Sequence, residues 1–472
     1  MASVRILPPE SAGKGTYCVT SSDRTRSGVT FAARVVGRET YRFVGPVAAA
    51  LIVRSLVAFV VLRSMPLVSD AASYAEVAER LLEHFPGDFA YFWPPGMPYA
   101  IWAVWSVIGT GTTEARLLTV AIGVVNVVLV MLLARAVGGN DRIVTVAGWL
   151  AALFPPAVLL GTQTYSEGLT TTCLLAAVTL GLAGWRTGRS WLVACAGLPL
   201  GYAVVTRPAV VSVVVAFLLL AVVVRTRAVL LGSAGALALV LAVAAPVAAH
   251  NRAHDAGLTI STNNERNVWL GNNRYTPLYK TSHLAQRERD ELPADVRAYI
   301  ERIESRSDAR QAMREETVRY VAAHPLESIL RTVNRVRAFW GYDYVLSREI
   351  QKAYEWGDAR LLLPLAFEAG GYLVVAVAIV VGLVAGRRHL SRAGLAVIAV
   401  LALAYQLPYA FVFTVSSYHA PALALLMPVA AAGAVELWTQ HGGVFRQRGL
   451  ILALCVFAAV QIEYTWFAVR YR

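Results

Sequence analysis

Residues 68–106 read VSDAASYAEVAERLLEHFPGDFAYFWPPGMPYAIWAVWS, and the topology of the whole chain turns on them. Asp70 is followed by Tyr74, Ala78, Leu81, Leu82 and Phe85, a spacing of three and four that draws one apolar stripe along a helix. Glu76, Glu79, Arg80 and Glu83 fall elsewhere around it, so the stretch reads as a helix lying along a membrane surface. Pro94-Pro95-Gly96 then breaks the chain, and residues 96–108 form an apolar piece too short to cross hydrocarbon comfortably.

Outward from this stretch the composition is that of an integral membrane protein. Of 472 residues 57% are hydrophobic and 15% charged, and mean hydropathy is +0.54. Apolar runs fall at 44–62, 115–136, 143–160, 168–185, 191–206, 209–224, 228–249, 361–386, 393–414, 421–438 and 450–467, about eleven spans of an all-α polytopic protein. The net charge of +13 sits largely in short loops between spans, which argues for the positive-inside rule and against nucleic acid as a partner. Cys18, Cys173, Cys195 and Cys455 show neither paired nor metal-ligand spacing. Residues 1–43 are polar and basic without the apolar core of a signal peptide, and are expected to be a disordered cytoplasmic tail.

Arginine placement decides whether 96–108 crosses. If it does not, Arg135 with Arg142, Arg186 with Arg189, Arg225 with Arg227, Arg387 with Arg388 and Arg392, and Arg446 with Arg448 all fall inside; if it does, all fall outside. The first arrangement is adopted. It divides the chain into an N-terminal membrane module (44–249), a large extracytoplasmic loop (250–360) and a C-terminal membrane module (361–472). The first extracytoplasmic loop, 63–114, is the expected catalytic one, and residues 286–340 are expected to be a helical cap broken at His324-Pro325.

Candidate functional residues collect on that far side. Asp70 is a helix cap or a carboxylate at the membrane edge able to take a proton from a hydroxyl; Asp88, in Gly87-Asp88-Phe89, reads first as a turn. Tyr165-Ser166-Glu167, Arg116 and Thr206-Arg207-Pro208 stand at far-side ends of spans. An arginine there runs against the inside bias, so Arg207 is a candidate partner for phosphate, with a snorkelling arginine as the plain alternative. Asn267, Trp269, Asn272 and Asn273 combine amides with an indole face, a turn-forming cluster that also suits a sugar. Tyr418 and His419 open the tenth span, where a lone histidine is more often packed than reactive.

In order along the chain, the SDAASYAEVAERL loop with Asp70 and Tyr74, the Pro-Pro break running to Glu114-Ala115-Arg116, the Tyr165-Ser166-Glu167 start, Arg207-Pro208, the 267–273 loop and Tyr418 to Pro421 resemble the GT-C superfamily of membrane glycosyltransferases. The resemblance is to the branch holding protein O-mannosyltransferases, lipid A aminoarabinose transferases and lipopolysaccharide core transferases, glycosyltransferase family 39-like. It implies a GT-C fold with juxtamembrane helices in the first loop, and a polyprenyl-phosphate sugar donor. It also implies an extracytoplasmic acceptor, and the Ala, Val and Arg richness with few lysines suggests a bacterium, hence an expected plasma-membrane location. By this resemblance Asp70 matches the catalytic acid, Arg207 a contact to the donor phosphate, and Asn267 to Asn273 part of the donor cavity; Arg116 is a second candidate to stabilise the departing anion. A divalent metal ion is the one cofactor the resemblance admits, with no ligands assigned. The chain departs from the branch in carrying Phe92-Trp93 before the Pro-Pro, where many relatives have an acidic residue or lysine. The rival readings are a transporter or lipid-linked sugar flippase, to which Arg54 and Glu368 near span positions would belong, and a cell-surface polysaccharide polymerase or ligase.

Overall fold

The computed structural model describes residues 42–287, 289–440 and 443–470; all of the expected tail except its last two residues lies outside them. The described residues are helical with no strand, and the protein is a multi-pass membrane protein. Among the described residues eight helices are long and apolar enough to cross a bilayer: Arg42–Val61, Thr112–Ala136, Ser166–Thr187, Arg227–Ala253, Asp358–Val384, Arg392–Ala410, Ser416–Gln440 and Arg448–Phe467. The other three of the eleven expected runs take shorter forms. Residues 190–206 and 208–224 are 17-residue apolar stretches, and 143–160 is broken into helices Asp141–Leu153 and Pro155–Leu160.

That break has a cause and a remedy in the sequence. Pro155 and Pro156 have no N–H, so the carbonyls of Ala151 and Ala152 lose their partners four residues on. The buried Arg54 guanidinium donates to both, at 3.2 and 2.9 Å. Glu368, buried in Asp358–Val384, does the corresponding service for donors. Its carboxylate accepts from the Leu346 and Ser347 N–H groups at the start of helix Val345–Ala353 and from the Ser347 hydroxyl. Both charges near span positions are therefore consumed by backbone.

Ser416–Gln440 is the central helix, packed against Asp358–Val384, Arg392–Gln406, Asp141–Leu153, Ser166–Thr187 and Thr112–Ala136. Its crossing with Asp358–Val384 is backbone to backbone. A Cβ on Gly382 would fall 2.0 Å from the Val429 carbonyl, and one on Gly433 2.0 Å from that of Ala378. At one end of the bundle Arg135 pairs with Asp141, Arg186 donates to the Ala136 carbonyl, and Ser391 bonds Val137, so three arginine-bearing loops meet there. At the opposite end lie the first loop and the large loop. The first loop holds helix Asp70–Glu83, which buries Tyr74, Ala78 and Leu81, and the 13-residue helix Gly96–Ile108, the short piece the sequence marks out. In the large loop helix Ala309–Ala323 ends at His324 and Pro325–Phe339 begins at once, the break expected from proline.

Candidate active site

A cavity of about 310 Å³ opens where these two loops meet the helix ends. Asp70, Ser166, Arg207, Asn267, Tyr409 and Tyr418 contribute its polar wall, with Trp93, Pro94 and Phe413 among the apolar lining. Six separate segments of sequence thus converge on one space.

Asp70 is the first residue of its helix, and Ser69, not Asp70, is the residue at the cap; neither side chain bonds an N–H of the first turn. Ser69 has φ 53°, a left-handed conformation that costs a non-glycine residue free energy and is held by its surroundings. The Gln163 amide accepts from the Val68 N–H and donates to the Pro66 carbonyl, and the Thr164 hydroxyl donates to the Ala71 carbonyl. The segment before and after Asp70 is clasped by 163–164. Among the described residues the Asp70 carboxylate accepts no hydrogen bond. Burial, and then the negative charge of Glu167, push its pKa up to about 6 against the opposing pull of Arg207.

Arg207 follows helix Gly197–Thr206 and precedes a proline, in extended backbone that aims its side chain off the helix end. Its guanidinium pairs with Glu167 at 2.8 Å and lies over the Tyr418 ring, 4.5 Å from the centroid, with Tyr409 at 5.9 Å. The Pro-Pro-Gly break is packed onto the same helix end. A Cβ on Gly96 would fall 2.2 Å from the Thr206 hydroxyl, and Tyr202 donates to the Gly96 carbonyl at 2.9 Å. Only glycine lets the turn carrying Trp93 and Pro94 sit this close to Arg207. Tyr74, hydrogen bonded to Ser166, is held well above the usual phenol range, chiefly by burial.

The large loop closes the cavity through Asn263, Asn264, Asn267 and Val268. Asn251 fixes this wall to the first loop, accepting from the Tyr91 N–H at 2.7 Å and donating to the Thr259 carbonyl; Thr262 N–H reaches the Tyr91 carbonyl. Asn263 and Asn264 bond Ser261, but the Asn267 amide has no hydrogen bond among the described residues.

Of the residues the sequence singles out, Asp70, Tyr74, Arg207, Asn267 and Tyr418 line the cavity, and Glu167 stands behind Arg207. Ser166, Thr206 and Pro208, from the same sequence motifs, line it too, and the remaining candidates lie elsewhere. Arg116 gives its guanidinium to the carbonyls of Thr162, Ala58, Arg63 and Met65. Trp269 is buried among Leu270, Tyr299 and Ile300, its indole N–H donating to Tyr299. Asn272 bonds the Val268 and Phe411 carbonyls and accepts from Arg335, while Asn273 ties its own turn. His419 is stacked on Tyr372 and bonded to the Phe339 carbonyl and Asp343. Asp88 is exposed on the first loop. Tyr409, Phe413 and the Gln163-Thr164 clasp are absent from the sequence reading; Pro408 and the polar residues beside Tyr165 were their only local signals.

No group of three or more His, Cys, Asp or Glu side chains comes together among the described residues. The cavity's one unpaired carboxylate, Asp70, faces a guanidinium, so this donor set does not fit a protein-held divalent cation.

The class that fold and cavity define is a polytopic helical membrane protein with an acid, an arginine and an amide wall at one end of the bundle. Residues 93–250 match the family model of dolichyl-phosphate-mannose-protein mannosyltransferases. The matched segment carries Trp93, Glu167 and Arg207; Asp70 precedes it. Among solved structures the chain is similar to the apo oligosaccharyltransferase of Archaeoglobus fulgidus, at 13% identity and TM-score 0.48, covering 90% of this chain and 55% of that one. It is also similar to apo ArnT from Cupriavidus metallidurans, at 16% identity and TM-score 0.49, covering 90% and 64%. ArnT bound to undecaprenyl phosphate matches at 17% identity and TM-score 0.40, covering 84% and 78%. The chain thus spans 55% and 64% of the length of the first two of these structures. No curated protein matches it in sequence.

Proposed function

We propose that the protein transfers a sugar from a polyprenyl-phosphate donor to an acceptor hydroxyl on the extracytoplasmic face of a bacterial plasma membrane. The observation that carries this reading is the placing of Asp70 and Arg207 in one cavity at the membrane end of the helices. A lipid monophosphate keeps its tail in hydrocarbon while its phosphate meets a guanidinium at the bundle end. In the proposed step the acceptor oxygen attacks the anomeric carbon, Asp70 takes the hydroxyl proton, and the bond to the lipid phosphate breaks with inversion. Arg207 stabilises the leaving phosphate. Glu167 holds the guanidinium in place and offsets its charge before the donor arrives. Asn267 offers an amide to the sugar hydroxyls. No step of the proposed transfer is routed through a metal.

A transporter or flippase is disfavoured by Arg54 and Glu368, whose charges are spent on backbone groups rather than on a path through the bundle. The deciding experiment incubates purified wild type and Asp70→Asn with a panel of polyprenyl-phosphate sugars and acceptor-containing membranes, following donor by mass spectrometry. One donor consumed by wild type, with a loss of about 10²-fold or more in the variant, supports the reading. Consumption only of lipid-diphosphate oligosaccharides would replace it with a polymerase or ligase, and full activity in the variant would remove Asp70 from the chemistry.

A further inference from the structure

Helix Pro325–Phe339, in the large loop, is built inside out for a helix in water. Its two buried residues of highest polarity are Arg331 and Arg335, each 1% exposed, while Leu326, Ile329 and Val333 are 76%, 60% and 59% exposed and Leu330 is 52% exposed. The positions 326, 329, 330 and 333 follow at three and four, so the exposed residues form a single stripe. The arginines point the other way and are spent. Arg331 donates to the Asn273 and Thr276 carbonyls, and Arg335 to the Gly271 and Ala410 carbonyls and the Asn272 side chain. Rotating the helix to hide its leucines would strip those carbonyls of donors, so the apolar stripe cannot turn inward.

We infer that this helix lies in the plane of the bilayer, its stripe of Leu326, Ile329, Leu330 and Val333 sunk among the lipid chains, and so moors the large loop to the membrane. At 15 residues, roughly 22 Å, it is too short to span. Its neighbours name the occupant of the face. The helix packs beside the end of span Arg392–Ala410, whose Leu403 and Leu407 are exposed with Phe411 just past it, and against Arg448–Phe467, whose Ile462 and Trp466 are exposed. The stripe therefore stands beside the exposed apolar residues of two spans, which selects lipid over a soluble partner. The same helix walls an apolar groove of about 590 Å³ with Phe411 and with Val268, and Val268 also lines the cavity of Asp70 and Arg207. Mooring the helix thus fixes the amide wall against the bundle. The inference rests on the membrane fold and holds whether or not the protein transfers sugars.

Two measurements on the full chain test it. Wild type is reconstituted in vesicles of phosphatidylcholine and phosphatidylglycerol containing a diazirine-acyl phosphatidylcholine, irradiated and mapped by mass spectrometry; adducts within 325–339 are expected beside those on the spans. Adducts confined to the spans would overturn the proposal. In a background with the four cysteines replaced, nitroxides at Ile329→Cys, Val333→Cys and the exposed Glu301→Cys are compared in nanodiscs. Positions 329 and 333 are expected to collide with oxygen several-fold more than with a water-soluble nickel chelate, and 301 the reverse. Nickel access at 329 and 333 would place the stripe in water, and exclusion of both reagents would place a protein surface over it; either result defeats the inference.

Discussion

Arg116 and Arg207 stand at the same end of the bundle, the first buried and the second with 12% of its side chain exposed, and their partners differ. Around Arg116 each of the three guanidinium nitrogens donates to backbone carbonyls, those of Ala58, Arg63, Met65 and Thr162. Around Arg207 there is one carboxylate and two tyrosine faces, and the rest of the guanidinium borders open cavity. A guanidinium that has exchanged water for carbonyls is part of the scaffold; one whose remaining donors face a cavity is available to an incoming anion. The same contrast separates Asn267, with a free amide, from Asn272 and Asn273, whose amides tie down their own turn. Arg116 nonetheless serves the site at one remove, because Arg63 and Met65 belong to the segment that delivers Asp70.

Asp70→Asn is expected to remove the pH limb of kcat/KM as well as the rate. With the acid titrating at about 6, wild-type activity should rise with pH through that value, and a limb persisting in the variant would assign it to another group. The same shift has a stability consequence of opposite sign. A carboxyl raised above its ordinary 3.8 disfavours the charged form in the folded state, so stability falls as pH rises from about 4 through 6. Asp70→Asn should then be more stable than wild type at pH 8, by at most about 3 kcal/mol, and equal to it at pH 3.5; thermal unfolding at the two pH values reads this. Arg207→Gln is expected to lower kcat by about 10²–10³-fold while the protein still folds, as for removal of a donor to a developing anion. Unchanged turnover would make Arg207 a scaffold residue like Arg116. Asn267→Ala should raise KM for the sugar donor by up to about tenfold, the loss of one hydrogen bond, with Asn272→Ala acting on stability instead. Arg116→Lys sharpens the comparison from the other side: turnover per folded molecule stays within a few-fold of wild type, but thermal stability drops by on the order of 3 kcal/mol as buried carbonyls lose donors.

Two of the charges that could have been taken for a conduction path illustrate why partner identity matters more than depth. Arg54 replaces the N–H groups that Pro155 and Pro156 lack, and Glu368 caps helix Val345–Ala353. Each is fixed by a local backbone defect a long way off in sequence, at separations of 97 and 98 residues for Arg54 and 21 and 22 for Glu368. Neither partner could be chosen from hydropathy.

What the sequence determined by itself was local in origin. Runs of apolar residues made helices, the three-and-four spacing after Asp70 made the first-loop helix, and Pro95-Gly96 and His324-Pro325 set the breaks where the structure has them. These follow from properties a residue carries with it: hydrophobic side chains, a missing N–H, a fixed φ. Only the tertiary structure decided which polar residues remain unspent. His419 is enclosed by Phe339 and Asp343, Trp269 by Tyr299, and Arg116 by carbonyls some fifty residues away on either side, whereas Arg207 meets a cavity assembled from segments between 70 and 418. A buried polar group is silent or reactive according to whether its hydrogen bonds are already made, and those partners are brought by folding from far along the chain.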